Sequence, residues 1–293
     1  MASGFLTGEE LDRAALTALL DRADELKAGR SDGAGGGAIE GRSVALIFEA
    51  PSTRTRVSFE VGVAELGGTP LVLRGDEMQL TRGESIADTG RVISRYVHGI
   101  VIRSGSDERV RELADSAAVP VVNALTPMHH PCQALADLQT LRERFGRLEG
   151  LKLVYVGDGN NVARSLAILG RTAGVEVVVA SPDGYRIEDG LAELTSDPRA
   201  AAEGADALYT DVWVSMSDEA EDAERRRADL APFQLSEELM GLASGDAIAL
   251  HCLPAHPGEE IAEAVLYGDR SAVWDQAENR LHAQKALLES LLA

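Results

Sequence analysis

Cysteine, lysine and long apolar runs are scarce in this sequence. Its 293 residues include two cysteines, Cys132 and Cys252, in different motifs. Two thiols build no disulfide framework, and they fit a reducing, cytoplasmic setting. No window of about 18 uncharged apolar residues occurs, so no membrane partner is expected. Met1 to Phe5 has no charged stretch backed by an apolar core, so no secretory signal is read there. Lysine stands only at Lys27, Lys152 and Lys285, and every other base is arginine. Bases are outnumbered: 48 acidic against 28 basic residues leave a net charge of −20. That balance argues against nucleic acid and anionic membranes as partners. An acidic, lysine-poor surface fits solubility in concentrated salt, and a GC-rich genome produces the same bias. An anionic ligand could bind only where positive charge is gathered against the global field.

What is present is a repeated alternation. The length suffices for two domains, each with its own core. Thr7-Gly8-Glu9-Glu10 reads as a capping box opening a helix with Leu11, Ala15, Leu19 and Leu26 on its apolar side. The Gly-rich segment 31–38 reads as a flexible connector. Strand patterns then fall at 43–48, 69–73, 99–103 and 119–123, with helical patterns at 54–66, 85–97 and 107–117 between them. A long helical run follows at 132–145. The series restarts with strands at 151–156, 175–180, 206–210, 246–251 and 271–274. Its helices are 161–173, 198–203, 235–243 and 259–266, and a last helix runs over about 277–292. The fold class expected is α/β: two domains, each a parallel β-sheet flanked by helices, joined by long interdomain helices. The charge run 217–231 reads either as a solvated helix face or as a mobile lid.

Ligands bind open parallel sheets off the carboxyl ends of the strands, and the unusual polar motifs cluster there. Ser52-Thr53-Arg54-Thr55-Arg56 follows an apolar strand and opens a helix. Unsatisfied N–H groups, the helix dipole, hydroxyls and arginine forks together make a phosphate site. The bland alternative is Ser52 as an N-cap followed by solvated arginines. His130-Pro131-Cys132-Gln133 places an imidazole and an amide near the first turn of the long helix, where a His donor can polarise a carbonyl. His129, His130, Cys132, His251, Cys252 and His256 are metal-ligand types, but no zinc spacing repeats, so no metal is expected. Gly157-Asp158-Gly159-Asn160-Asn161 looks like a dinucleotide turn, but Val162 stands where the third glycine belongs. Paired asparagines suit the zwitterionic end of an amino acid. Asp211 ends a strand where a carboxylate can bind an ammonium, or cap a turn. In His251-Cys252-Leu253-Pro254, adjacent side chains on a strand point to opposite faces, so Cys252 reads as a substrate-contacting thiol rather than a His-activated nucleophile.

Together, in order and over nearly the whole chain, these residues resemble the aspartate/ornithine carbamoyltransferase family. Ser52-Thr53-Arg54-Thr55, Arg103 and His130-Pro131-Cys132-Gln133 match its carbamoyl phosphate motifs, and Arg280 in Ala277-Glu278-Asn279-Arg280 matches its C-terminal arginine. Asn161, Asp211, Ser215-Met216 and His251-Cys252-Leu253-Pro254 match the ornithine-type side. The resemblance implies carbamoyl transfer to the δ-amine of L-ornithine without a cofactor, with putrescine or an N-acylated ornithine as the alternative acceptor. It implies a carbamoyl phosphate domain over 1–131, an ornithine domain over 132–276, and a C-terminal helix, 277–293, packing back on the first. The implied catalytic residues are Arg54, Arg103, His130 and Cys252. Carbamoyl phosphate would meet Ser52, Thr53, Arg54, Thr55, Gln79, Arg103, His130, Gln133, Leu253 and Arg280. Ornithine would meet Asn161, Asp211, Ser215, Met216 and Cys252. A homotrimer, or an assembly of trimers, is implied, with Gln79 reaching a neighbouring subunit's site. Ala50, Arg164 and Ser217 depart from residues usual in relatives, and the region 183–197 is short.

Overall fold

The computed structural model describes residues 4–78, 83–214 and 220–293. By internal contacts the chain forms two units, one of residues 1–139 with 279–293 and the other of residues 140–278.

The first unit is built on β1 (Gly4–Phe5), α1 (Arg13–Ala28), β2 (Ser43–Phe48), α2 (Thr53–Glu65), β3 (Thr69–Arg74), α3 (Ile86–Ile93), β4 (Gly99–Arg103), α4 (Asp107–Ser116) and β5 (Val121–Leu125). Its sheet runs β1-β5-β4-β2-β3, every pairing parallel. The central strands are apolar along their length because helices cover both faces. Ala45, Ile47, Ile100, Ile102 and Val121 pack against Val110 and Leu113 of α4 on one side. α5 (Pro131–Phe145) begins in this unit and crosses its boundary.

The second unit contains β6 (Lys152–Val156), α6 (Asn161–Ala173), β7 (Glu176–Ala180), β8 (Glu193–Thr195), α7 (Pro198–Ala202), β9 (Ala207–Thr210), α8 (Ala220–Leu230), α9 (Glu237–Leu242), β10 (Ile248–His251) and α10 (Glu263–Leu266). Its sheet is again parallel, in the order β10-β9-β6-β7-β8. α11 (Val273–Leu292) starts here, and its residues from Asn279 onward belong to the first unit. There Lys285, 1% exposed, donates to Glu65 of α2 at 2.9 Å, and Glu289 pairs with Arg22 of α1. Among the described residues, no helix is long and apolar enough to cross a membrane.

Several elements differ from their sequence pattern. Residues 271–274 form no strand: Ser271 makes one bridge to Ala249, and α11 starts at Val273. A short apolar run does not distinguish a strand from the first turn of a buried helix. α1 starts at Arg13, capped by Asp12 rather than Thr7. Glu10 instead accepts the N–H groups of Leu6, Thr7 and Gly8, closing a loop with the bonds a capping box would use. The buried face of α1 is therefore Leu16, Leu19, Leu20, Ala23 and Leu26, and Ala15 is exposed. The short 183–197 region keeps an edge strand, β8, paired with β7.

Candidate active site

β2 ends at Phe48, and α2 begins five residues later with Thr53. Ser52 occupies the N-cap position of α2, but its side chain makes no capping bond. Its Oγ accepts from Arg103 Nη1 at 3.1 Å instead. Ser52 is therefore not a side-chain cap. The hydroxyl is committed to the arginine at the end of β4, and it leaves the first-turn N–H groups of α2 uncapped. Beside it lies a cavity of about 680 Å³ whose lining includes Ser52, Thr53, Arg56 and Arg74. Glu49, the residue after β2, accepts from Ser104 Oγ (2.7 Å), Gly105 N (3.2 Å) and Arg109 Nη1 (2.6 Å), tying down the loop behind Arg103.

Thr55, on the first turn of α2, is buried and lies 3.4 Å from Arg280 Nη2. Arg280 Nη1 donates to Gln133 Oε1 at 2.7 Å. His130 is also buried, and burial, then the charges of Arg280 and Arg103, hold its pKa well below the ordinary value. It is therefore a neutral imidazole at neutral pH, able to donate one hydrogen bond without adding positive charge. The loop carrying His130 is pinned from α4. Asp107 accepts from Thr126 Oγ1 (2.6 Å) and Met128 N (3.1 Å), and its carboxylate lies 2.9 Å from His129 Nδ1. His129 is thus a support for the loop. Cys132 is fully buried, and burial raises its thiol pKa to about 12, so it is a core thiol.

On the second unit, Asn160 caps α6 through Oδ1 bonds to Val162 N and Ala163 N. Its Nδ2 donates to Asp211 Oδ2 at 2.7 Å, while Cys252 Sγ donates to Asp211 Oδ1 at 2.9 Å. Asp211 thus joins the ends of β6, β9 and β10. Tyr155, buried beneath, has its hydroxyl pKa raised well above normal by burial, then by Asp211, Asp158 and Cys252. Gly159 serves chain packing. Its N–H donates to Tyr185 O at 2.7 Å, and a Cβ would stand 2.6 Å from that oxygen. Asp211, His251 and Cys252 offer metal-ligand atoms within 4.8 Å of one another, but both ring nitrogens of His251 are already in hydrogen bonds, to Glu260 and Leu253 N.

The structure brings Ser52 to Arg103, Thr55 and Gln133 to Arg280, and Asp211 to Cys252. Thr53 and Arg54 are exposed on α2, Asn161 is the first residue of α6, and Leu253 follows Cys252. Gln79, Ser215 and Met216 lie outside the described residues, as does Ser217. Asn160, one of the paired asparagines of that motif, and two residues outside the motifs, Arg226 and Glu260, also hold this region. Asn160 was readable as a helix N-cap. Arg226 of α8 donates to Trp213 O at 2.7 Å, pairs with Asp158 and lies over the Tyr185 ring. That packing takes Arg226 out of the solvated charge run. Glu260, nine residues beyond His251, had no local signal. Arg164 pairs with Glu188.

Comparison with known proteins covers both units. Residues 4–143 match the family model described as aspartate/ornithine carbamoyltransferase, carbamoyl-P binding domain, and residues 149–291 match the one described as its Asp/Orn binding domain. A relative from Acidothermus cellulolyticus named ornithine carbamoyltransferase is 54% identical, over 100% of this chain and 97% of its own. The solved ornithine carbamoyltransferase from Pyrococcus furiosus is 46% identical with a TM-score of 0.95, covering 99% of this chain and 96% of that one. The one from Thermus thermophilus is 44% identical with a TM-score of 0.93, covering all of both chains.

Proposed function

The chain belongs to the aspartate/ornithine carbamoyltransferase family, and from that premise we infer that it transfers the carbamoyl group of carbamoyl phosphate to the δ-amine of L-ornithine, giving L-citrulline and phosphate. It is an enzyme of the carbamoyltransferase class. The observation that carries the reading is the local gathering of positive charge in a chain of net charge −20. Arg103 is bonded to Ser52 at the start of α2, and Arg280 is bonded to Gln133 beside a neutral His130.

In this reading the first unit holds carbamoyl phosphate. Ser52, Thr53, Arg54, Thr55 and Arg103 take the phosphate, with the uncapped first turn of α2 as a fixed dipole. Arg54, Thr55, His130, Gln133, Leu253 and Arg280 face the carbamoyl group, and His130 and Arg54 stabilise its oxyanion. The second unit holds ornithine. Asp211 takes the α-ammonium, Asn161, Ser215 and Met216 hold the amino-acid end, and Cys252 orients the side-chain amine.

The attacking amine must be neutral. Its nitrogen forms a bond to the carbamoyl carbon, the carbon–oxygen bond to phosphate breaks, and phosphate leaves with the electron pair. The proton lost by nitrogen passes to phosphate or water. Carbamoyl phosphate is a reactive mixed anhydride, so positioning and charge stabilisation suffice, and the chemistry calls for no cofactor. The assembly proposed is a homotrimer or a set of trimers, with Gln79 entering a neighbour's site; sedimentation measures it. Two thiols without a disulfide support a cytoplasmic setting.

The test is citrulline formation from carbamoyl phosphate with L-ornithine, beside putrescine, N-acetylornithine and aspartate, at low and molar salt. Turnover with ornithine alone is expected. Turnover only with another amine would overturn the roles given to Asp211, Ser215 and Met216.

A further inference from the structure

The Gln133 carboxamide is clamped from both ends inside the first unit. Its Oε1 accepts from Arg280 Nη1 at 2.7 Å, and its Nε2 donates to Asp137 Oδ1 at 2.8 Å. All three side chains are buried: Gln133 is 1% exposed, Asp137 0% and Arg280 6%. A guanidinium has only donors, and the oxygen facing Nε2 is an acceptor. The amide therefore has one allowed orientation. Flipping it would set a donor against Arg280 and an oxygen against Asp137, two buried repulsions at once. The i,i+4 spacing on α5 keeps Asp137 on the same face of the helix as Gln133.

The consequence concerns what the substrate must supply. The amide nitrogen is turned to Asp137, and the amide oxygen is turned to the Arg280 side. A carbonyl oxygen has two lone pairs, and Arg280 occupies one. The other can accept only from a donor. The carbamoyl group ends in an NH2, which donates. Acetyl phosphate carries a methyl group in that position and cannot.

We propose that Asp137 is a positioning residue for substrate choice: by fixing the Gln133 amide, it makes the site select an acyl phosphate that ends in NH2 over one of the same shape that ends in methyl. This rests on the reading of Gln133 as a carbamoyl contact. A site built to hydrogen-bond a substrate group discriminates against the analogue lacking it, because its own polar atom is left unmatched.

The measurement is the ratio of the inhibition constant of acetyl phosphate to the KM of carbamoyl phosphate. It is made in the unmodified enzyme, in Asp137→Ala, in Asp137→Asn, and in Gln133→Ala with and without Asp137→Ala. The loss of one oriented hydrogen bond is worth about tenfold. Asp137→Ala should lower the ratio by about that factor, mostly through a higher KM for carbamoyl phosphate. Asp137→Asn keeps an acceptor oxygen and should retain the ratio. In the Gln133→Ala background, Asp137→Ala should change the ratio no further. A merely structural Asp137 would reduce thermal stability without moving the ratio.

An unchanged ratio in active Asp137→Ala, or an equal change without Gln133, overturns the inference. If Asp137→Ala does not fold, Asp137→Leu, similar in volume and without an acceptor, takes its place in the same series, beside two isosteric phosphonates on the unmodified enzyme. Phosphonoacetamide should bind about tenfold tighter than acetonylphosphonate, and equal binding overturns the inference. Absence of citrulline from the unmodified enzyme would instead overturn the function it rests on, and the inference with it.

Discussion

His251 Nδ1 accepts the backbone N–H of Leu253 at 2.8 Å, across the corner that ends β10. The other ring nitrogen, Nε2, lies 3.1 Å from Glu260 Oε1, which also accepts His256 N at 2.5 Å. Nδ1 is therefore the accepting nitrogen, and Nε2 is the one that donates to Glu260. Leu253 has φ near 60°, the single non-glycine among the described residues with a positive value. A buried carboxylate thus orients an imidazole, and the imidazole holds a backbone turn that a branched side chain disfavours.

Replacing Glu260 by Ala should uncouple that chain of bonds. His251 Nε2–H and His256 N–H lose their acceptor, which costs about 2 kcal/mol of stability. The expected result is a lower thermal midpoint together with a raised KM for both substrates. A variant with an unchanged midpoint and unchanged KM values would show that the corner holds without Glu260.

Arg54→Ala should lower kcat/KM for carbamoyl phosphate by about a thousandfold, or ~4 kcal/mol of transition-state stabilisation. The side chain is exposed on the first turn of α2, so the fold should be undisturbed. Steady-state kinetics with saturating ornithine measure the effect, and a near-normal rate would remove Arg54 from the mechanism.

Asp211→Asn should act on one substrate only. An amide there keeps one acceptor oxygen where Asn160 Nδ2 and Cys252 Sγ both donate, and it loses the charge that attracts an ammonium. The KM for ornithine should rise roughly tenfold to a hundredfold, the value of a hydrogen bond to a charged group. The KM for carbamoyl phosphate should stay near its starting value. Equal rises in both would place Asp211 in a structural role.

Stability should fall on the acid side of neutrality. Folded His130 resists protonation, while the unfolded chain takes up that proton near pH 6.5. The folded state then binds fewer protons, so stability falls as pH drops below about 6.5, by up to ~1.4 kcal/mol per unit. Glu49, Asp107 and Glu260 act further down. Burial opposes their charge, but their hydrogen bonds prevail and lower each pKa. Their contribution is whole above the unfolded carboxylate values and is lost as pH falls through the folded ones. Urea midpoints followed from about pH 8 down to about pH 3 should show both steps, and His130→Gln should flatten the first. An equally steep variant would assign that slope to other groups.

Much of the α/β alternation was legible because apolar strand runs and capped helices are local patterns. The run 43–48 and the helix 161–173 coincide with β2 and α6 residue for residue. The edge elements were harder. β1 has two residues and β8 three, too short to show a period, and both exist through pairing with β5 and β7. The strand pattern at 271–274 belongs to the chain entering α11, where Ala272 and Val273 are buried and Trp274 is exposed.

The site divides in the same way. The sequence by itself determined the two-series α/β plan, the hydroxyls and arginines gathered at a helix start in Ser52–Arg56, and the imidazole and amide of His130 and Gln133 near the start of another helix, because each is carried by residues close along the chain. Only the tertiary structure decided what those groups do with one another. Ser52 bonds Arg103 rather than capping α2, Asn160 both caps α6 and holds Asp211, and Gln133 meets Arg280 across 147 residues of chain. A hydrogen bond is directional and short, so its partner is set by where distant strands and helices end in space, and no local pattern encodes that.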